Sequence, residues 1–450
     1  MDKSGNNKIL KALRLLLYMG IACYTVLSQM LMVLFHQRYA YLYVAQLLFI
    51  GIMLFMALKK KLYYVHSLPV NFLLLSFFMS MTSSLRGMEL TYVQASVGML
   101  CQFGVLYFIT AFIEEEIEES IAERPGKDIG ILKVFVLSMK FICLLQVVYI
   151  FAQFISYHFF GVYLNRLIFL DILKMDMSGI LWPEWSACTG FTYSQPLLAP
   201  MFVIGMLLFS NIWIRILFIL ASFLCRSSTS IVGTSATAFF LLVAAVIDGK
   251  FKKENVKRYF AEMKGVKLVL QILTLFLMAA AIFFSGVFDK ALEEAKYLYT
   301  RIFLSGGTEV HISYFSSVRT VLPEMGIYNL LFGYGNNCSG YPMNQFIHGG
   351  EEFFPVPSIV ECDYIDTLFS RGIFGFAVTY GLLIFLAVKG FKTDKRYTVA
   401  AAAFLLMAAG YNIQWHYAML FVFVLLLCLK HKSDIFEYSD RGQKLLSGKK

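Results

Sequence analysis

The chain has 450 residues, 59% of them hydrophobic and 15% charged, with a mean hydropathy of +0.68. Soluble domains run at about 45–50% apolar and about 25% charged, so composition excludes an ordinary soluble enzyme, a disordered tail and a disulfide scaffold. A formal net charge of +10 would attract nucleic acid if it were clustered. Here it is divided among gaps between apolar runs of about 20 residues, the length that crosses about 30 Å of hydrocarbon. The sequence reads as an all-α, polytopic integral membrane protein whose first partner is the lipid bilayer, and nucleic acid is not expected among its partners.

Taken in chain order, apolar runs bounded by charge predict about twelve transmembrane helices. They fall at residues 13–35, 39–58, 67–85, 92–113, 134–157, 196–210, 211–225, 229–247, 268–288, 371–389, 398–414 and 417–430. The two runs flanking Asn211 are each short for a full crossing. The first run is long and lacks a small-residue cleavage site, so it reads as an uncleaved anchor. This divides the chain into residues 1–288 (helices one to nine), a large loop 289–370, residues 371–430 (helices ten to twelve) and a tail 431–450.

Basic residues set the orientation. With the N-terminus in the cytoplasm, about 29 of the 39 basic residues lie inside, among them Lys59-Lys60-Lys61, the loop 248–267 and the C-terminal tail. The outer ones are Arg38, Arg86, Arg166, Lys174, Arg226, Lys290, Lys296, Arg301, Arg319 and Arg371, and most are arginine. Lysine suffices to fix topology, whereas guanidinium offers a planar fork for phosphate oxygens. The bias points to an anion at the outer face.

The loop 289–370 is too long for a simple connection and too apolar for disorder. It opens with an expected amphipathic helix over Lys290–Phe303, Leu292, Ala295, Tyr299 and Ile302 forming its apolar side. In the other outer segment, 158–195, Trp182 and Trp185 read as interface anchors. Cys23, Cys101, Cys143 and Cys428 fall in spans as packing residues, and Cys338 and Cys362 share the large loop, where they could pair. Metal-ligand spacing, a Walker loop and a dinucleotide fingerprint are absent, so no cofactor is expected.

Three outer clusters hold the candidate chemistry. Arg226 is followed by Ser227, Ser228, Thr229 and Ser230 at a helix start, where hydroxyls cap and backbone N–H groups face an anion. Arg319 precedes Phe332-Gly333-Tyr334-Gly335-Asn336, whose glycines permit a tight turn and close backbone approach. Finally Glu361, Asp363 and Asp366 lead into Arg371-Gly372-Ile373-Phe374-Gly375, with Asp363 and Asp366 on one flank if the segment is helical. Each has an ordinary structural alternative: a helix cap, a turn and a solvated salt bridge.

In order and spacing, the hydroxyl-rich helix start, the arginine before Phe-Gly-Tyr-Gly-Asn and the polar residues before Gly-x-x-Gly together resemble the O-antigen ligase and polymerase superfamily, over about residues 190–390. That resemblance implies a GT-C-like fold and an inverting, metal-independent glycosyltransferase on the outer face of the bacterial cytoplasmic membrane. Ligases of the superfamily carry a His-Asn pair where this chain has Glu361-Cys362, and a carboxylate there is more like the polymerases of O-antigen, capsule and exopolysaccharide pathways.

The implied reaction joins repeat units carried on polyprenyl pyrophosphate, both donor and acceptor being lipid-linked oligosaccharides. Arg226, Arg319 and Arg86 would hold the departing pyrophosphate, Glu361 or Asp363 would take the acceptor proton, and Ser227, Tyr334, Asn336 and Arg371 would line the substrate. A flippase and a chain-length regulator of the same pathway are the expected partners. Ligase-type transfer to another acceptor is the alternative within the class. Outside it stands a lipid-linked oligosaccharide flippase, which the same number of spans would suit.

Overall fold

The structure is a computed structural model that describes residues 3–27, 40–60, 68–123, 129–172, 188–192, 195–249, 296, 306–356, 359–410 and 416–438. Among them all regular structure is helical. The helices are α1 (Lys3–Leu27), α2 (Ala40–Leu58), α3 (Leu68–Ser84), α4 (Leu90–Glu123), α5 (Gly130–Phe160), α6 (Ala199–Leu208), α7 (Ile212–Leu224) and α8 (Ser228–Ile247). They continue with α9 (Gly306–Glu324), α10 (Ile327–Phe332), α11 (Gly340–Phe346), α12 (Asp363–Gly390), α13 (Lys395–Met407) and α14 (His416–Lys430).

Among the described residues five segments are long and apolar enough to cross a membrane: Lys8–Val26, Leu90–Glu123, Gly130–Tyr157, Ser228–Ile247 and Asp363–Gly390. Large apolar side chains point outward from several helices, Leu47 being 69% and Val388 65% exposed. In water such a surface would aggregate, whereas in lipid it is the solvated one. The architecture is that of a helical membrane protein.

The remaining expected spans fare differently. Helices α6 and α7 have 10 and 13 residues, rising about 15 and about 20 Å, and neither alone covers about 30 Å of hydrocarbon. Arg215 explains the break between them, its Nε donating to the Met206 and Phe209 carbonyls (2.9 and 2.7 Å) that end α6. Asn211 then caps α7 by accepting from Trp213 N at 2.8 Å. The expected span 268–288, the basic loop 250–267, the amphipathic helix at 290–303 apart from Lys296, and Trp182–Trp185 lie outside the described residues.

Helix α4 runs about three turns past its apolar stretch, because its glutamates meet cations from three other parts of the chain. Arg14 of α1 reaches Glu116 at 3.2 Å and also Glu119. Lys59, just past α2, binds Glu119 and lies 3.7 Å from Glu115. Lys430 of α14 binds Glu114, with His431 Nε2 at 3.4 Å from the same oxygen. Glu114, Glu115 and Glu116 are buried, a placement that carboxylates tolerate only when neutralised nearby.

The chain forms two compact units, residues 1–237 with 314–450 and residues 238–313. The described part of the second comprises the end of α8 with Asp248 and Gly249, Lys296, and the start of α9. Everything that follows lies in the first.

Candidate functional site

Helix α12 is two helices. Gly372 sits at φ 64°, ψ −170°, a region essentially closed to residues with a Cβ. The break frees carbonyls at the end of segment 363–371. Tyr334 N donates to Phe369 O at 2.9 Å and Gly335 N to Ser370 O at 3.1 Å. From α3, Ser80 Oγ donates to Ser370 O at 2.6 Å and Ser83 Oγ to Gly333 O at 2.5 Å. The expected Gly-Tyr-Gly turn is therefore the cap of a broken helix.

The glycines explain how the two backbones come so close. A Cβ at Gly333 (φ 77°) would overlap the Ser370 carbonyl, and one at Gly372 would overlap the Leu331 carbonyl. At Gly375, on ordinary helical backbone, a Cβ would collide with the Arg371 side chain. Gly-x-x-Gly thus has two separate tasks: its first glycine breaks the helix, and its second makes room for the arginine at the break.

Arg371 is 3% exposed. Its guanidinium lies 4.3 Å from the centre of the Phe77 ring, Nη2 donates to Thr367 Oγ1 at 3.4 Å, and it feels the charges of Asp363 and Asp366. Asp363 is fully buried and accepts from Tyr380 Oη at 2.6 Å, across the break. Asp366 accepts from Ser339 Oγ at 2.5 Å, and that hydroxyl in turn accepts from Val360 N at 2.9 Å. Ionisable groups placed so in a membrane protein are expensive and mark functional or switching regions.

The predicted residues divide into a buried framework and an accessible set. Asn336 is buried, donating through its backbone to Ser96 Oγ (2.9 Å) and through Nδ2 to Phe77 O (2.9 Å). Tyr334 is buried too, and burial pushes its phenol above the ordinary tyrosine range. Ser227 caps α8 by accepting from Ser230 N at 3.4 Å. With Asp363 and Arg371 these residues hold the site together. The accessible residues are Glu361 beside Tyr314, Arg319 further along the same helix α9, Arg86 stacked 4.2 Å over the Tyr328 ring, and half-buried Arg226. Arg226 takes the left-handed conformation, φ 50°, in the turn between α7 and α8.

The end of α13 joins the first and third clusters. Asp363 N donates to Ala408 O at 2.9 Å, and the Cys362 thiol lies 3.8 Å from the same carbonyl. A Cβ at Gly410 would stand 2.9 Å from Thr229 Oγ1, and one at Gly233 would stand 2.6 Å from the Met407 sulfur. The hydroxyl-rich start of α8, the 333–336 turn and the start of α12 are thus brought together, although more than a hundred residues separate the first from the last.

Cys338 and Cys362, which could have paired, are both free and buried. Cys338 Sγ approaches the carbonyls of Asn336 (3.3 Å) and Tyr92 (3.6 Å), away from the Ala408 carbonyl that Cys362 meets. Three residues of the cluster were not singled out from sequence: Ser339, Tyr380 and Ser80. The last carried a signal, because Ser76, Ser80, Ser83 and Ser84 interrupt an otherwise apolar run at near-helical spacing. No protein-family model matches the chain, and no curated protein matches it significantly in sequence.

Proposed function

We propose that the protein is a polysaccharide polymerase, joining polyprenyl-pyrophosphate-linked oligosaccharide repeat units at the outer face of a bacterial cytoplasmic membrane. The observation that carries this reading is that segment 363–371 links the three clusters, meeting the end of α13 and through it the start of α8 at Asp363, and the 333–336 turn at Phe369 and Ser370, which supports treating them as one site. In the reaction the bond between the donor's anomeric carbon and the pyrophosphate oxygen breaks. A bond from that carbon to an acceptor hydroxyl forms, and the hydroxyl proton passes to a carboxylate. Glu361 suits that base better than Asp363, because Glu361 is exposed whereas Asp363 is buried against Tyr380 and Ala408. Arg226, Arg319 and Arg86 are accessible enough to meet the leaving pyrophosphate, where fixed cations act on charge as it develops.

Arg14, Lys59 and Lys430, each assigned to the cytoplasmic side by the charge count, meet at one end of α4, which supports placing all three on the same side of the membrane. A flippase of the same pathway and a chain-length regulator would be the partners.

A second reading is favoured by one feature: a helix broken beside buried charges also occurs in secondary transporters. Proteoliposomes holding a lipid-linked repeat unit separate the two. Lengthening of the glycan supports the polymerase; movement between leaflets without lengthening supports the transporter and refutes the first reading.

A further inference from the structure

The turn that carries Arg226 also carries Cys225, and a second cysteine is fastened against it. Cys188 N donates to the carbonyl of Leu224 at 3.1 Å. With standard backbone dimensions, one such bond to the carbonyl preceding Cys225 holds the two Cα atoms within about 7 Å, the span that a disulfide bridges. Both are free thiols in the structure, as are Cys338 and Cys362; Cys225 is fully buried and Cys188 is 8% exposed.

The segment around Cys188 is held in place by α5. Gly190 N donates to Gln153 Oε1 and Phe191 N to Gln146 Oε1, both at 2.8 Å. The Phe191 ring stacks on Tyr149 with centroids 3.7 Å apart, and Asn165 Nδ2 donates to Thr189 Oγ1 at 3.1 Å. Two buried glutamines inside an apolar helix, Gln146 and Gln153, are thus spent on one short segment. From these contacts we infer that Cys188 and Cys225 form a disulfide, a bond that staples residues 188–192 to the turn bearing Arg226. The other cysteine pair on this side, Cys338 and Cys362, stays reduced because its thiols face different carbonyls.

Formation removes two protons and two electrons from the two thiols, and the electrons pass to an exported disulfide-donor oxidoreductase by thiol–disulfide exchange. Such a donor acts outside the cytoplasm, the side to which basic-residue counting assigns this turn. Oxidation precedes closure of the packing. Burial afterwards pushes the Cys188 thiol up to about 12, against the opposing pull of the Arg226 guanidinium, so any pair left reduced would be slow to react.

The test counts thiols in the full-length protein. Membranes from producing cells are quenched with N-ethylmaleimide under denaturing conditions, reduced, and labelled with a polyethylene-glycol maleimide. The proposal expects two of the eight cysteines to be released by reduction, and a non-reduced digest to hold a crosslinked peptide joining Cys188 and Cys225. Cys188→Ser or Cys225→Ser should abolish both signals, while the Cys338→Ser, Cys362→Ser double variant retains them. Eight thiols blocked before reduction, or a crosslink joining any other pair, overturns the proposal. Neither result bears on glycan transfer, so this inference and the polymerase reading fail independently.

Discussion

Replacing Gly372 by alanine probes the helix break directly. Its backbone lies where a Cβ is strongly disfavoured, at a cost of about 1–3 kcal/mol. The new Cβ would also overlap the Leu331 carbonyl, a backbone group that cannot turn aside as a side chain would, and overpacking of that kind adds about 1–3 kcal/mol. The sum is a loss of about 2–6 kcal/mol. Gly381, nine residues on in the same helix, is the control. A Cβ there meets nothing within 4 Å, so Gly381→Ala should be stabilising by about 0.5–1 kcal/mol, the helix-propensity difference. Chemical denaturation of the detergent-solubilised protein, followed by helical circular dichroism, compares the two. The reasoning fails if Gly372→Ala unfolds at the wild-type midpoint, or if Gly381→Ala is equally damaging.

Three further outcomes follow from the same site. Arg371→Met leaves buried Asp363 and half-buried Asp366 without their guanidinium and should cost about 3–5 kcal/mol, with Arg371→Lys restoring only part because an ammonium does not stack as a planar fork does; denaturation midpoints check both. Tyr380→Phe deletes the 2.6 Å hydrogen bond to Asp363 and should lose about 1.5–3 kcal/mol, read in the same assay. For topology, a membrane-impermeant maleimide should label a cysteine placed at Glu361 in intact cells and one placed at Lys432 only after permeabilisation; the reverse pattern would invert the proposed orientation.

Hydropathy found the apolar stretches of the five long helices because runs of outward apolar side chains fill them, such as Leu137, Phe141 and Val148 of α5. It stopped α4 at residue 113, whereas the helix extends to Glu123. A single-residue scale sees a glutamate run as the end of a span and cannot see Arg14, Lys59 and Lys430 arriving from distant parts of the chain. It began the tenth span at Arg371, at the break where the second part of α12 starts, and left out the helical segment 363–371 before it, because Asp363 and Asp366 look like loop residues until Tyr380 and Ser339 are placed beside them.

The motif glycines were legible as places of close backbone approach. What they approach was not: Gly333 fits against the Ser370 carbonyl and Gly372 against that of Leu331, a relation between positions 39 residues apart that no local pattern encodes. Of the candidate site, the residue types were readable and the division of labour was not. Burial in particular was not readable: Asn336, Tyr334 and Ser227 are buried, whereas Glu361, Arg319 and Arg86 are exposed and Arg226 is half-buried.

The most direct test of the proposed chemistry is the rate at which polyprenyl pyrophosphate is released as glycan lengthens in proteoliposomes containing purified lipid-linked repeat units, comparing wild type with Arg226→Ala and Arg319→Ala at matched folded protein. Loss of a preorganised cation from the leaving group predicts a fall of about 10²–10³-fold. Release at the wild-type rate from both variants, or no release from the wild type, would contradict the account.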